Sequence, residues 1–165
     1  MKNNKGFSLI ELIVVIAIIA VLVGASSVGI SVLWGFYPKE CANNLEAKLN
    51  KTRIDSMGKA NMALELYQGS DGSYYADLVT YDSSGAVSST TSEKIGRKSL
   101  TITYKDTTGA TGTLGTDHIA VCYDRSSGAL KANSSGKIYN EFTISQRSTT
   151  KTVTIYAETG KVTVD

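Results

Sequence analysis

The N-terminal sequence Lys5-Gly6-Phe7-Ser8-Leu9-Ile10-Glu11 leads directly into an apolar run, Leu12-Ile13-Val14-Val15-Ile16-Ala17-Ile18-Ile19-Ala20-Val21-Leu22-Val23. No charged residue occurs from Leu12 to Tyr37. As a helix, that segment would be about 39 Å long at about 1.5 Å per residue, enough to cross a hydrocarbon core of roughly 30 Å. Lys2 and Lys5 precede the helix and place the leader on the cytoplasmic side. The sequence therefore predicts an N-terminal membrane helix.

Glu11 is a single carboxylate at the leading edge of this apolar run. An acidic side chain inside a membrane helix costs about 2.5–3.5 kcal/mol on insertion scales, so it usually has a partner. Two interpretations are open. Glu11 either stays hydrated near the interface or meets a positive charge that another chain supplies.

The hexapeptide Gly6-Phe7-Ser8-Leu9-Ile10-Glu11 follows a short Lys/Asn leader and precedes an uninterrupted apolar helix. This arrangement resembles the class III signal of type IV pilins and of the related pseudopilins of type II secretion and DNA-uptake machines. The resemblance implies cleavage by prepilin peptidase between Gly6 and Phe7, followed by N-methylation of Phe7. It also implies that Glu11 pairs with the Phe7 amine of a neighbouring subunit, which would relieve the penalty on a buried carboxylate.

The resemblance further implies a set of partners and a location. The precursor would span the plasma membrane once, in contact with lipid. An assembly platform and its ATPase would then extract subunits into a homo-oligomeric helical filament with other pilins at the cell surface. Major pilin, minor pilin and pseudopilin stay open, as do motility, adhesion, secretion and DNA uptake.

Other interpretations of the N-terminus compete with this one. Cleavage near Gly24-Ala25-Ser26 would release an ordinary secreted protein. Without assembly, the chain would be a signal-anchored monomeric surface adhesin, and an exported hydrolase is a more distant possibility. A net charge of +2 gives no argument for a nucleic-acid partner.

Length and pattern predict an α+β fold in which a long N-terminal helix, membrane-spanning in its first half, packs against an antiparallel β-sheet head. The helix prediction past Pro38 depends on apolar residues at spacings of three, four or their multiples. These residues are Leu45, Leu49, Ala60, Leu64 and Tyr67. The predicted segments are a leader at 1–6, a membrane and assembly helix at 7–37, an amphipathic helix at 38–68, a connecting loop at 69–98 and the sheet at 99–165.

Alternating apolar residues separated by turn-forming clusters predict the strands of the head. The predicted strands are Leu100–Tyr104, Ile119–Tyr123, Tyr139–Ile144, Val153–Tyr156 and Val162–Val164. The clearest hairpin joins Thr152–Tyr156 to Lys161–Val164.

Cys41 and Cys122 are the only cysteines. An even pair in an exported protein favours a disulfide, which would contribute roughly 4–5 kcal/mol in the chain-entropy model. Cys41 lies near the membrane end of the helix, however, so two unpaired thiols are an equal alternative.

The sequence contains little that is typical of catalysis. His118 is the only histidine, and a lone His beside Asp117 is more often structural than catalytic. The spacing of Asp71, Asp77 and Asp82 matches no EF-hand loop. We therefore expect no enzyme activity, no cofactor and no catalytic, cofactor-binding or metal site.

Overall fold

The computed structural model describes residues 8–58 and 61–165, and between 25 and 35 it describes the backbone alone. The chain divides into two compact units, Met1–Trp34 and Gly35–Asp165. One helix, α1, covers Leu9–Gly58. The described strands are β1 Asn61–Gln68, β2 Tyr74–Tyr81, β3 Val87–Gly96, β4 Thr101–Asp106, β5 Thr111–Thr113, β6 Ile119–Tyr123, β7 Leu130–Lys131, β8 Tyr139–Gln146, β9 Thr149–Ile155 and β10 Val162–Val164.

Within the second unit, the C-terminal part of α1 is amphipathic. Its buried positions recur every three or four residues, which is the period of one helical face. Among them are Cys41, Leu45, Leu49, Thr52 and Ser56, and Ala42 is buried beside Cys41. This stripe packs against the strands and forms one side of the core of the head.

The strands form two five-stranded antiparallel sheets. The order in the first sheet is β3-β2-β1-β6-β7, and the order in the second is β10-β9-β8-β4-β5. Side chains from α1 and from both sheets meet in a single hydrophobic core, with Phe142 of β8 and Leu66 of β1 among its fully buried members. The α+β class and the helix packed on antiparallel sheet are therefore confirmed.

The prediction of an amphipathic helix through residue 68 is wrong beyond Gly58. Asn61–Gln68 is β1, whose register pairs Gln68 with Tyr74 of β2. Leu64 and Leu66 are buried while Glu65 between them is partly exposed, which is the alternation of a strand. Glycine is among the least favourable residues in a helix, so the helix ends readily at Gly58.

The prediction of a connecting loop at 69–98 is also wrong. That range contains β2 and β3, and Gly69–Gly72 is the turn between β1 and β2 rather than the end of a helix. The predicted strands after residue 99 are confirmed by β4, β6, β8, β9 and β10. The predicted hairpin is confirmed by the pairing of Val162 with Ile155.

Three turns of the head use the same local design. They are Asp82-Ser83-Ser84-Gly85, Asp106-Thr107-Thr108-Gly109 and Asn133-Ser134-Ser135-Gly136. In each, Oδ1 of the first residue accepts backbone N–H groups from two and four residues later at 2.8–3.0 Å. The glycine has a positive φ of 73–90°, which other residues adopt only with strain. Each turn therefore stabilises itself locally.

The buried stripe of α1 gives the first prediction. Leu45→Ala should lower the free energy of unfolding of the head by about 2–5 kcal/mol, because it leaves a cavity in a fully packed core. Ile54→Ala is the matched control on the same helix. Ile54 is 67% exposed, so its loss should change stability by less than about 0.5 kcal/mol. Denaturant unfolding followed by near-UV circular dichroism of the tyrosines measures both, and equal effects would contradict the packing described.

The turn aspartates predict a pH dependence. Hydrogen bonds from Ser84 and Thr108 hold the pKa values of Asp82 and Asp106 below their usual value. A carboxylate whose pKa is lower in the folded state than in the unfolded state stabilises the fold at pH values above its unfolded pKa of about 3.9. That stabilisation is lost as the pH falls through the pKa of the folded state. Head stability should therefore fall in acid below about pH 4.

The double variant Asp82→Asn, Asp106→Asn tests this origin. Asn133 shows that asparagine makes the same turn, so the geometry should survive while the titrating groups are removed. Thermal unfolding across the acid range should show a shallower loss of stability in the variant. An identical acid profile would mean that other groups control it.

Candidate functional site

The first turn of α1 holds Glu11 in a reciprocal contact with Ser8. The Ser8 backbone N–H donates to Glu11 Oε2 at 3.5 Å, and the Glu11 backbone N–H donates to Ser8 Oγ at 3.4 Å. This is the capping-box arrangement, in which Ser and Glu three residues apart satisfy free N–H groups at a helix start. The contacts are long and therefore weak. The sequence pattern Ser8-Leu9-Ile10-Glu11 contains this signal.

The helix that follows exposes apolar side chains around its whole circumference. Their exposed fractions range from 47% at Val15 to 77% at Leu9. The residues are Leu9, Ile10, Leu12, Ile13, Val14, Val15, Ile16, Ile18, Ile19, Val21, Leu22 and Val23. A helix that is apolar on every face is typical of a membrane or of the interior of a larger assembly. We call this surface, from Leu9 to Val23, the apolar helix surface.

No helix within residues 8–58 and 61–165 combines the length and the apolar character that a membrane crossing requires. Residue 7 and the side chains from 25 to 35 lie outside the described part of the chain, so the span predicted for residues 7–37 stays a prediction.

Residues 1–27 match a family model described as the prokaryotic N-terminal methylation motif. The chain carries a class III signal. This finding confirms the likeness to type IV pilins and pseudopilins that Gly6–Glu11 predicts. No curated protein and no solved structure matches the chain.

The predicted processing residues Gly6 and Phe7 lie outside the described residues, so the cleavage and methylation sites stay predictions. Glu11 lies in the first turn of α1, within the apolar helix surface. Its carboxylate also interacts favourably with the positive end of the helix dipole. Capping alone therefore gives Glu11 a role in the single chain, and any pairing with another chain comes in addition.

Cys41 and Cys122 are free thiols in the structure, which corresponds to the second of the two alternatives left open by the sequence. Cys41 is buried on α1 within the core. On β6, Val121 and Tyr123 face the core, so the alternation of the strand directs Cys122 to the opposite face of the sheet. Burial raises the pKa of Cys41 to about 12, with Glu40 adding to the effect, and burial also raises the pKa of Cys122. Both thiols are therefore protonated near neutral pH.

His118 contacts Glu65 of β1 rather than acting with its neighbour Asp117. Its Nδ1 lies 2.8 Å from Glu65 Oε2, and its ring stacks on Tyr67 with centroids 4.1 Å apart. Tyr81 donates a hydrogen bond to the other carboxylate oxygen of Glu65 at 3.3 Å. These contacts tie β1, β2 and the start of β6 together, as expected of a structural histidine.

The three aspartates considered for calcium have separate roles. Asp71 accepts hydrogen bonds from Ser73 N–H and the Tyr75 hydroxyl, whereas Asp82 organises its own turn. Asp77 is buried in β2. Within the part of the chain that the structure describes, no group of three metal-ligating side chains occurs.

The cysteine geometry predicts two free thiols in the purified protein. Alkylation in denaturant without reductant should add two carbamidomethyl groups to the intact mass. In the native protein Cys41 should react much more slowly, because its thiol is buried and protonated. A native mass two hydrogens lower, with no alkylation in denaturant, would instead establish the disulfide.

Proposed function

We propose that the chain is the precursor of a structural subunit of a type IV pilus or pilus-like filament. Prepilin peptidase would cut after Gly6, Phe7 would be methylated, and Glu11 would pair with the Phe7 amine of a neighbour. The observation that carries this proposal is the methylation motif at residues 1–27, which includes the exposed apolar helix surface.

The apolar helix surface supports assembly on physical grounds. Its exposed side chains favour any environment without water. Lipid would provide that environment to a single-pass plasma-membrane precursor, and helices of other copies would provide it in a cell-surface filament. A membrane platform with its ATPase would drive the transfer between the two. The carboxylate of Glu11 would be unpaired among apolar helices unless it met a positive charge, and a neighbouring amine provides one.

The head has a supporting role in this proposal. Its core is closed by α1 and both sheets, so it can form an outer surface while the N-terminal helices pack together. We propose a structural rather than an enzymatic function. The alternative is a signal-anchored monomeric adhesin, and within the family a pseudopilin of a secretion or DNA-uptake system fits the same residues.

Two variants separate the two roles that the geometry allows for Glu11. Glu11→Gln keeps the capping box, because Gln serves as well as Glu at that position, but removes the charge. Ser8→Ala removes the cap and keeps the charge. If assembly requires the ion pair, Glu11→Gln should reduce subunit incorporation into sheared surface filaments by at least about tenfold. Ser8→Ala should assemble nearly normally.

Intact mass and N-terminal sequencing of the same material provide the control for processing. Wild type and both variants should begin at Phe7, since the cleavage site is unchanged. Glu158→Ala is the control for assembly: it removes an exposed carboxylate of the head and should assemble normally. Normal incorporation of Glu11→Gln would refute the ion pair. A wild-type chain that begins at Met1 and stays in the membrane would favour the anchored adhesin.

A further inference from the structure

In the part of the chain that the structure describes, three of the four sheet edges are very short. They are β5, β7 and β10, which contain three, two and three residues. Short edge strands are one way in which folded proteins prevent their sheets from pairing with other chains. The fourth edge is β3, Val87–Gly96, which contains ten residues. This edge therefore lacks the protection that the other three share.

β3 has few of the other features that protect a long edge. Its sequence contains no proline, and its irregular pairings with β2 lie near its two ends, so residues 89–94 pair regularly. Its two charged side chains are opposite in sign, and each forms an ion pair within the head. Glu93 pairs with Lys48 of α1, and Lys94 Nζ lies 3.9 Å from Asp71 Oδ2. The strand thus carries no net charge that would repel a second strand.

The outward backbone groups of β3 are accessible to another strand. Residues 87–94 are exposed at every position, so no described element covers this part of the strand. Among the described strands, β2 is the only one that pairs with β3. In an antiparallel pair, every second residue of an edge strand directs its N–H and C=O away from its neighbour. β3 therefore presents a row of backbone donors and acceptors to whatever strand lies beside it.

We propose that β3 pairs with β3 of a second copy of the chain, antiparallel and across a two-fold axis. Strand addition at an exposed sheet edge is a common mode of recognition, in which backbone hydrogen bonds provide the affinity. The lengths of the edges favour β3 itself as the partner. β5, β7 and β10 of another copy could cover only two or three of its residues. Two β3 strands match in length, and their pairing would join two five-stranded sheets into one continuous sheet.

The symmetry of this contact separates it from filament growth. A two-fold contact uses the same surface on both copies and closes after two subunits, whereas a contact that repeats along a filament uses two different surfaces. The β3 pair could thus join subunits of two neighbouring filaments but would not extend one filament. Only this consequence rests on the proposed function, since the pairing of two heads does not require a filament. One strand pair is a small interface, so we expect weak pairing that strengthens where many copies lie side by side.

Hydrogen exchange of the full chain in detergent tests where two copies meet. Mass spectrometry compares the exchange of backbone amides at low and at high protein concentration. Exchange should slow at high concentration in the peptides that cover β3, because amides that pair with a second strand are protected. Contact between the N-terminal helices of two copies would instead change the exchange of residues 9–23. The location of the protection therefore distinguishes pairing of the heads from pairing of the helices.

A charge at position 90 tests the two-fold axis. Thr90 is exposed near the middle of β3, and by alternation its side chain lies on the face opposite to Thr91, which lines a small cavity with Lys48 of α1. Near the axis, residue 90 of one copy lies directly or diagonally opposite residue 90 of the other, within reach of a long side chain. Thr90→Lys should therefore weaken dimerisation roughly tenfold by repulsion, and Thr90→Glu should do the same. An equimolar mixture of the two variants should regain the wild-type affinity, because opposite charges then meet.

Sedimentation equilibrium in density-matched detergent measures these affinities. Ser148→Lys is the matched control, because it places the same charge on an exposed turn between β8 and β9. This control should associate as the wild type does. The Tm of every variant should stay close to the wild-type value, since both substituted positions are exposed.

Three results would overturn the proposal: no concentration-dependent protection of β3 in the wild type, unchanged association of both Thr90 variants, or a mixture that associates no more tightly than either variant alone. The second result, with β3 still protected, would assign the edge to a partner other than β3. The two proposals can fail separately, because Thr90→Lys should still enter filaments and Glu11→Gln should still pair through β3.

Discussion

The apolar helix surface is the constraint on which the rest of the molecule depends. Nearly every side chain from Leu9 to Val23 is apolar and exposed, so this part of α1 gains stability only where another molecule removes it from water. Beyond Gly35 the same helix changes character. There only one stripe, from Cys41 to Ser56, is buried, and it is covered by the chain's own strands. One helix thus exposes apolar side chains on every face in its first part and buries a single stripe in its second.

The parts of the fold that could be predicted are those whose signal is local. β6 and β8 alternate apolar and polar residues between turn-forming clusters, so their position follows from period and turn chemistry. β1 was missed because Leu64 fits a helical spacing from Leu49 as well as it fits alternation with Leu66. β3 gives no alternation at all, since the positions from Val87 to Lys94 are all exposed. A strand that buries almost nothing has no apolar period to detect.

The candidate sites also differ in whether their signal is local in the sequence. Gly6–Glu11 was identifiable because its chemistry lies within six consecutive residues, and the methylation motif at 1–27 confirms that resemblance. The state of the cysteine pair could not be predicted, because it depends on which face of β6 carries Cys122. The pairing of β6 with β1 fixes that face. The contacts of His118 with Glu65 and Tyr67 bring together residues that are distant in sequence. No spacing rule connects such residues before the sheets are assembled.

The contacts of Glu11 in the single chain bear on the pairing proposed for its carboxylate. In the single chain it completes a capping box with Ser8, but at 3.4–3.5 Å both contacts are long. A short, strong cap would compete with any later partner, because breaking it would leave the Ser8 N–H and the carboxylate unsatisfied. A weak cap costs little to exchange. On the proposed assembly route, an ammonium from a neighbour would offer a bond in which both partners are charged, in place of one in which only the carboxylate is charged. The geometry of the first turn therefore favours a helix that can form alone and still accept a partner.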